Sequence, residues 1–239
     1  MALPAQPNQS LIDGLLVLRA LSMEVTEVGS RDLARRLGLD RTRTNRLLKT
    51  LAHLGLAQQT PNRRYRTGMG IHALAAQSLF GSGLINKSIG PMSKLIHPER
   101  ILALGVRWNE QVCYLLHAVA GQELISGIGR HGVFPVQDSS IGRVLLAFAP
   151  EEELLSLHKM GHLDKLGNES ELKKHLALIK ERGYEAVASN YQDQGSIAVP
   201  LCNPPVACIA VGGKFSPEEV IELVAKLKQI AGEIEALLL

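Results

Sequence analysis

Residues 41–49 (RTRTNRLLK) combine cationic side chains with side chains that form paired hydrogen bonds. Arginine and lysine bind phosphate oxygens, and arginine and asparagine also form bidentate contacts with the edges of guanine and adenine. The segment therefore suits recognition of double-stranded DNA, although a basic helix can also be a solvated surface. Its polar candidates are Arg41, Thr42, Arg43, Asn45, Arg46 and Lys49.

The charge of the chain is distributed unevenly. Residues 1–72 contain 11 Lys and Arg against 5 Asp and Glu, whereas the whole chain of 239 residues has a formal net charge of only +3. No acidic residue occurs between Asp40 and Glu99. This imbalance predicts a polyanionic partner for the first third of the chain.

Three predicted helices place the basic segment in a helix-turn-helix. Their apolar periodicity and capping residues predict Leu11–Leu21 after Ser10, Arg31–Leu37 after Ser30, and Arg41–Leu54 after Asp40. Gly38 ends the second helix. The inner face of the third helix is predicted to consist of Thr44, Leu47, Leu48, Leu51 and Leu54. The N-terminal residues of such a recognition helix face the major groove, and Arg31 on the preceding helix is a further candidate contact.

A short basic hairpin is predicted directly after the third helix. Strands at 56–59 and 63–67 flank the turn residues 60–62, which gives a wing. Its arginines, Arg63, Arg64 and Arg66, suit contacts with phosphate or with the minor groove. A helix-turn-helix can also serve as an interaction module, but the basic helix, the basic wing and the missing acids together favour DNA binding.

The rest of the chain predicts a linker and a second, α+β domain. An amphipathic helix over 71–80 is interrupted at Gly81–Gly83 and resumes from Leu84 to Ile96. Predicted strands and helices then surround one antiparallel sheet; the strands are 101–106, 111–118, 124–128, 184–188, 196–201 and 206–211, and the helices are 140–148, 151–157, 169–182 and one from Pro217 towards Leu238. The predicted domains are 1–70, 71–97 and 98–239.

Several segments, in order along nearly the whole chain, resemble the IclR family of bacterial regulators. They include 30–39 (SRDLARRLGL), 41–51 (RTRTNRLLKTL), 141–148 (IGRVLLAF), 182–184 (RGY) and 197–200 (IAVP). The resemblance implies a winged helix-turn-helix, a linker helix used in dimerisation, and a GAF-like α/β effector domain in a homodimer or homotetramer. It further implies an inverted-repeat operator and regulation by a small molecule, and we expect a repressor of a catabolic operon.

The same resemblance implies where the effector binds. The corresponding residues here are Ile128, Asp138, Ser139, Ser140, Ile141, Val187, Asn190, Ser196 and Ala210. Serine positions of members that bind small carboxylates are Ala210 and Gly212 in this chain, and Gln137 replaces a common histidine. We therefore expect a bulky or aromatic organic acid, unless the hydroxyls only cap the helix that starts at Ser140.

Other classes of protein have little support in the sequence. GxSxG, GxxxxGK[ST] and HExxH motifs are missing, so we expect no catalytic residues, no cofactor and no metal. Cys113, Cys202 and Cys208 lie in apolar runs without metal-ligand spacing. We expect a soluble, cytoplasmic protein with no membrane partner, because no apolar run is long enough to span a bilayer. A DNA-binding assembly protein whose second domain only oligomerises remains an alternative, and an enzyme fused to a DNA-binding domain is another.

Overall fold

The computed structural model describes residues 5–129, 132–188 and 195–238. The chain divides into two compact units, residues 1–82 and 83–239. The elements of the first unit are α1 (Gln9–Ser22), α2 (Ser30–Leu37), α3 (Arg41–His53), β1 (Ala57–Gln59), β2 (Tyr65–Thr67) and α4 (Gly70–Ser82).

The first unit is a winged helix-turn-helix, as predicted. Side chains from α1, α2, α3 and the hairpin share one core that includes Val17, Leu33, Leu48 and Tyr65. α2 ends at Gly38, which adopts the left-handed conformation with φ 64°. The Asp40 side chain accepts a hydrogen bond from the backbone N–H of Arg43 at 2.8 Å, which confirms the predicted cap of the recognition helix α3.

Some helix boundaries and burial assignments differ from the predictions. α1 begins at Gln9 because Asn8, not Ser10, caps it by accepting from the backbone N–H of Leu11. Ser30 is the first residue of α2 rather than its cap. Leu54 was expected on the inner face of α3 but is 62% exposed, because it follows the last helical residue, next to the turn at Gly55.

α4 is apolar on more than one side, with no acidic residue in its first turn and no basic residue in its last turn. None of its residues is buried, and Leu74 and Phe80 are 59% and 80% exposed. The predicted helix over 71–80 is present, but its apolar residues are not confined to the single face of an amphipathic helix. The predicted interruption at Gly81–Gly83 is shorter than expected, because α4 continues through Ser82 and only Gly83, with φ 63°, separates it from the next helix.

The second unit is an α+β unit built on one antiparallel sheet. Its elements are α5 (Leu84–Ser93), β3 (Ile101–Trp108), β4 (Gln111–Ala118), β5 (Val133–Pro135), α6 (Ser140–Ala147), α7 (Glu151–Lys159), α8 (Glu169–Arg182), β6 (Glu185–Ala188), β7 (Gly195–Leu201), β8 (Ala207–Gly213) and α9 (Pro217–Leu238). Among the described residues the strand order is β5-β4-β3-β8-β7-β6, and every neighbouring pair is antiparallel.

Alternation along the strands gives the sheet two buried faces. Ala103, Ala198 and Ala210 lie in the core that α6 and α8 cover. Residues of the opposite parity, such as Val199 and Ile209, are also buried, and α9 packs against β7 and β8. The β3–β4 register shifts between the pairs Leu104–Leu116 and Gly105–Tyr114, which leaves one extra residue on β4 and changes the alternation there.

Two segments of the second unit differ from the predicted strands. Residues Leu124–Gly127 form a 3-10 helix, and only Ile128 pairs with the sheet, through an isolated bridge to Leu116. The edge strand β5 was not predicted, because three exposed residues give no alternation signal. Within the described ranges, no helix combines the length and the apolar character needed to cross a membrane.

Candidate functional site

An open groove of about 700 Å³ lies between the recognition helix and the wing. Three cationic side chains line it, two from α3 and one from the turn of the hairpin. Its lining residues are Ser30, Arg41, Thr42, Asn45, Lys49, Gln59 and Arg63. The structure thus brings the predicted polar residues of α3 together with the wing, and cations in a groove attract a polyanion.

The outer face of α3 follows from its helical period. Thr44, Leu48 and Leu51 are buried, which leaves the intervening positions towards solvent. Arg41, Thr42, Arg46 and Lys49 are exposed, and so is Arg31 on α2. Asn45 is half-buried, and the Tyr65 hydroxyl of the wing lies 3.5 Å from its Oδ1. The Asn45 side chain therefore accepts from the hairpin through Oδ1, and Asn45 also lines the groove.

Arg43 differs from its neighbours because it is engaged within the unit. Its Nη2 lies 2.7 Å from Oδ2 of Asp13, a residue of α1 that is only 2% exposed. Gln9 donates from Nε2 to the other oxygen of the same carboxylate at 2.7 Å. Asp13 was not among the predicted site residues, although an acid within the apolar run LIDGLL was a usable signal.

The wing arginines are held to different extents. Arg64 Nε donates to the backbone carbonyl of Glu27 at 3.0 Å, and Arg66 Nε donates to Oε1 of Gln58 at 3.0 Å. Arg63 lies in the turn with φ 57° and is exposed. The wing therefore presents Arg63 towards the groove, whereas Arg64 and Arg66 also stabilise the hairpin.

In the second unit, the predicted effector residues at the start of α6 form hydrogen bonds within the fold. Ser139 caps α6 by accepting from the backbone N–H of Gly142 at 3.3 Å, and its hydroxyl lies 3.0 Å from the Tyr114 hydroxyl. Ser139 and Ser140 are both buried. The Ser139 hydroxyl thus has the capping role that the sequence left open, and it is also linked to the sheet.

The carboxylate of Asp138 forms an ion pair within the second unit. Its Oδ1 lies 2.7 Å from Nζ of Lys165, and the backbone N–H of Lys165 donates to the side chain of Gln137 at 2.9 Å. These contacts join the segment before α6 to the turn after α7. The predicted role of Asp138 in binding an effector would require this ion pair to be shared or replaced.

The remaining predicted effector residues occupy different environments. The side chains of Ile141 and Ala210 are buried in the core between α6 and the sheet. Val187 and Ser196 are half-buried partners in the β6–β7 pairing. Ile128 is 40% exposed. Asn190 lies outside the described residues.

Sequence reasoning missed an aromatic group on β4 and β5. The Tyr114 ring makes edge-to-face contacts with His117 and Phe134, with ring centroids 5.3 Å apart in each pair. Burial raises the pKa of Tyr114, and its hydrogen bond with Ser139 opposes that shift. Strict alternation would put residues 114 and 117 on opposite faces, so the register shift beside Gly105 hid this contact from a sequence pattern.

The second unit contains a histidine and two cysteines whose surroundings bear on metal and thiol chemistry. His158 Nε2 lies 3.0 Å from the carbonyl of Gly167. Nowhere in the described part of the chain do three His, Cys, Asp or Glu side chains converge as a metal site. Burial raises the pKa of the Cys113 thiol and raises that of Cys208 further, which favours unreactive thiols.

A basic recognition helix beside a wing, followed by a separate α+β unit, defines a DNA-binding regulator of the winged helix-turn-helix class. The model of the IclR helix-turn-helix domain matches residues 10–61, and that of the bacterial transcriptional regulator IclR C-terminal domain matches residues 90–236. The chain belongs to the IclR family. It is therefore a DNA-binding transcriptional regulator with a C-terminal effector domain.

Curated relatives and solved structures agree with this assignment. The regulator KdgR of Dickeya chrysanthemi is 27% identical over 212 residues, covering 83% of this chain and 68% of the relative. The regulator XynR of Escherichia coli is 30% identical over 220 residues, covering 84% of this chain and 83% of the relative. These names support the prediction that the chain is not an enzyme.

Among solved structures, the fold resembles an IclR regulator from Alicyclobacillus acidocaldarius, with a TM-score of 0.71, 22% identity, and coverage of 97% of this chain and 99% of that one. The fold also resembles an IclR-family regulator from Brucella abortus, with a TM-score of 0.76 and 23% identity. That match covers 99% of this chain and 95% of the other.

Proposed function

We propose that the chain represses a catabolic operon by binding an inverted-repeat operator through α3 and the wing. The groove shared by Arg41, Lys49 and Arg63 is the observation that supports this most directly. Arg46 is exposed on the same helix and is our candidate for a bidentate contact with guanine. We also propose that the protein acts in the bacterial cytoplasm, because a bacterial regulator must reach the chromosome there.

Replacing Arg46 with alanine is expected to weaken binding to a duplex that contains the operator, the preferred duplex, by about 1–3 kcal/mol, because a guanine contact is lost. Binding to random DNA should weaken much less. Fluorescence anisotropy over a series of salt concentrations measures both affinities. Arg35→Ala is the matched control, since Arg35 is an exposed arginine on α2 that pairs with Asp32.

Equal losses on the preferred and random duplexes would make Arg46 a phosphate contact instead. If the purified protein retards no duplex from its own upstream region at low ionic strength, the proposed mode of action is wrong.

We further propose that two copies associate through α4. The exposed side chains of Leu74 and Phe80, on a helix that buries none of its residues, support an apolar contact between copies. A two-fold dimer would present paired recognition helices to half-sites about 34–36 Å apart or a multiple of that spacing. Sedimentation of the purified protein distinguishes monomer, dimer and tetramer.

For the effector, we propose a bulky or aromatic organic acid. The aromatic group around Tyr114 and Phe134, next to the start of α6, supports a ring-binding site. A structural neighbour from Microbacterium hydrocarbonoxydans, 21% identical and with a TM-score of 0.65, is described as complexed with 4-hydroxybenzoate. Binding that changes operator affinity by about 5–150-fold corresponds to a coupling of about 1–3 kcal/mol.

Thermal unfolding in the presence of candidate acids tests this proposal. 4-Hydroxybenzoate at about 100 times its Kd is expected to stabilise the protein by about 2.7 kcal/mol. Pyruvate and glyoxylate are the small-acid comparison, and Arg46→Ala should respond as the wild type does because its change lies in the first unit. Stabilisation by the small acids alone would contradict the proposed class, and no response to any acid would favour a second unit that only oligomerises.

A further inference from the structure

A carboxylate is buried behind the recognition helix. Asp13 lies on α1 and is 2% exposed. One of its oxygens accepts from Gln9 Nε2, and the other lies 2.7 Å from Nη2 of Arg43. The ion pair therefore joins α1 to the first turn of α3.

Stability alone does not explain an acid at this position. Removing a carboxylate from water costs free energy that an ion pair only partly recovers, and apolar replacements of buried pairs are often neutral or stabilising. Residue 13 precedes Val17 by one helical turn, and Val17 belongs to the core of the first unit. Position 13 is therefore on the buried side of α1, where an acid needs partners, and Arg43 is its charged partner.

Arg43 is fixed at both ends. Its backbone N–H donates to Asp40 Oδ1 at 2.8 Å, and its guanidinium is paired with Asp13. The side chain is still 41% exposed, and it lines an open cleft together with Thr42 and Arg46. A guanidinium has five N–H donors in a planar fork, so a contact through one nitrogen leaves donors for a second acceptor.

Pairing with Asp13 also changes what Arg43 contributes to DNA binding. A partly neutralised guanidinium attracts phosphate less than a free one does, which lowers its contribution to binding without sequence preference. A guanidinium held in one orientation loses less conformational entropy when it forms a bidentate contact. Both effects favour reading a base over binding the backbone.

We propose that Asp13 is a positioning residue for sequence recognition, which holds Arg43 so that its free donors meet a guanine at one defined position of each half-site. This inference rests on the proposed use of α3 to read DNA. Asp13 acts through Arg43 and does not itself touch the duplex.

Selection from a pool of randomised duplexes tests the proposal and does not require that the operator be identified first. The wild type is expected to enrich a motif with guanine at a defined position in each half-site. Asp13→Asn and Arg43→Lys should both lower the guanine preference at that same position by about tenfold and leave the other positions unchanged. The double variant should lose no more than Arg43→Lys alone, because the two residues act as one unit.

Glu24→Gln is the matched control. Glu24 lies 2.6 Å from Arg36 of α2, so this variant removes an equal charge and a similar ion pair away from α3. It should leave the motif unchanged. If Asp13→Asn does not fold, Asp13→Leu is the second variant. It also removes the carboxylate that pairs with Arg43, but it puts an apolar side chain in the buried position.

Unchanged guanine preference in a folded Asp13 variant would overturn the proposal, as would an Arg43→Lys motif identical to that of the wild type. An equal loss at every position would make Asp13 a structural residue and would also overturn it. If the wild type enriches no motif, the proposed reading of DNA by α3 fails first, and this inference fails with it.

Discussion

Leu48→Ala is expected to destabilise the first unit by about 2–5 kcal/mol, the range for a leucine removed from a packed core. Leu48 is fully buried and belongs to the core that holds α1, α2, α3 and the hairpin together. A unit of this size has only about 4–12 kcal/mol of stability, so the loss is a large part of the total. The unfolding temperature of the unit should fall by about 10–30 °C.

Leu54→Ala is the control with the same chemistry. Leu54 directly follows α3, but its side chain is 62% exposed, so its truncation should change stability by less than about 0.5 kcal/mol. Hydrogen exchange of peptides from 9–67, compared with peptides from 101–118, shows whether the loss is confined to the first unit. Equal effects of the two substitutions would mean that the core of the unit is not the one described.

Gly142→Ala is expected to destabilise the second unit by about 3 kcal/mol and to abolish any response to the effector. A Cβ at residue 142 would overlap the backbone of Val136, including its carbonyl oxygen, and backbone atoms cannot move aside as a flexible side chain can. Relief of the overlap requires the start of α6 to move away from the segment before it. That movement would separate Ser139 from Tyr114, which are now in hydrogen-bond contact.

Gly232→Ala is the control for Gly142→Ala. It tests whether the destabilisation comes from the overlap with Val136 and not from replacing a helical glycine with alanine. Gly232 is an exposed helical residue of α9, and a Cβ there meets no described atom within 4 Å. Alanine should therefore stabilise α9 by about 0.5–1 kcal/mol, because it is the better helix former. Calorimetry of the two variants measures the change in unfolding free energy, which should be a loss for Gly142→Ala and a gain for Gly232→Ala. No change in Gly142→Ala would contradict the packing of α6 described above.

The predictions that succeeded relied on signals between neighbouring residues. Asp40 and Gly38 mark the boundaries of α3 and α2 through a cap and a left-handed turn, and both effects are local. The exact start of a helix was less predictable. Ser10 was predicted to cap α1, but Asn8 caps it and the helix begins at Gln9.

The DNA-binding surface was more predictable than the effector site for the same reason. Arg41, Arg46 and Lys49 are placed by the period of a single helix whose inner face is recognisable. The aromatic contact between Tyr114 and His117, by contrast, depends on a register shift between two strands. The segment 124–128 was predicted as a strand, but Leu124–Gly127 forms a 3-10 helix. A Cβ at Gly127 would overlap the backbone of His117 and Ala118, and this close approach to β4 is not visible in the sequence.

The sequence by itself determined the cationic character of the first unit, the order of its helices and the face of α3 that remains outside. Only the tertiary structure decided that Arg43 is paired with Asp13, that Asp138 is paired with Lys165, and that Ser139 meets Tyr114. Helical period and capping act over a few residues, so they are visible in one stretch of sequence. Each of these pairs joins residues that are far apart in the chain, and their meeting depends on how whole elements pack.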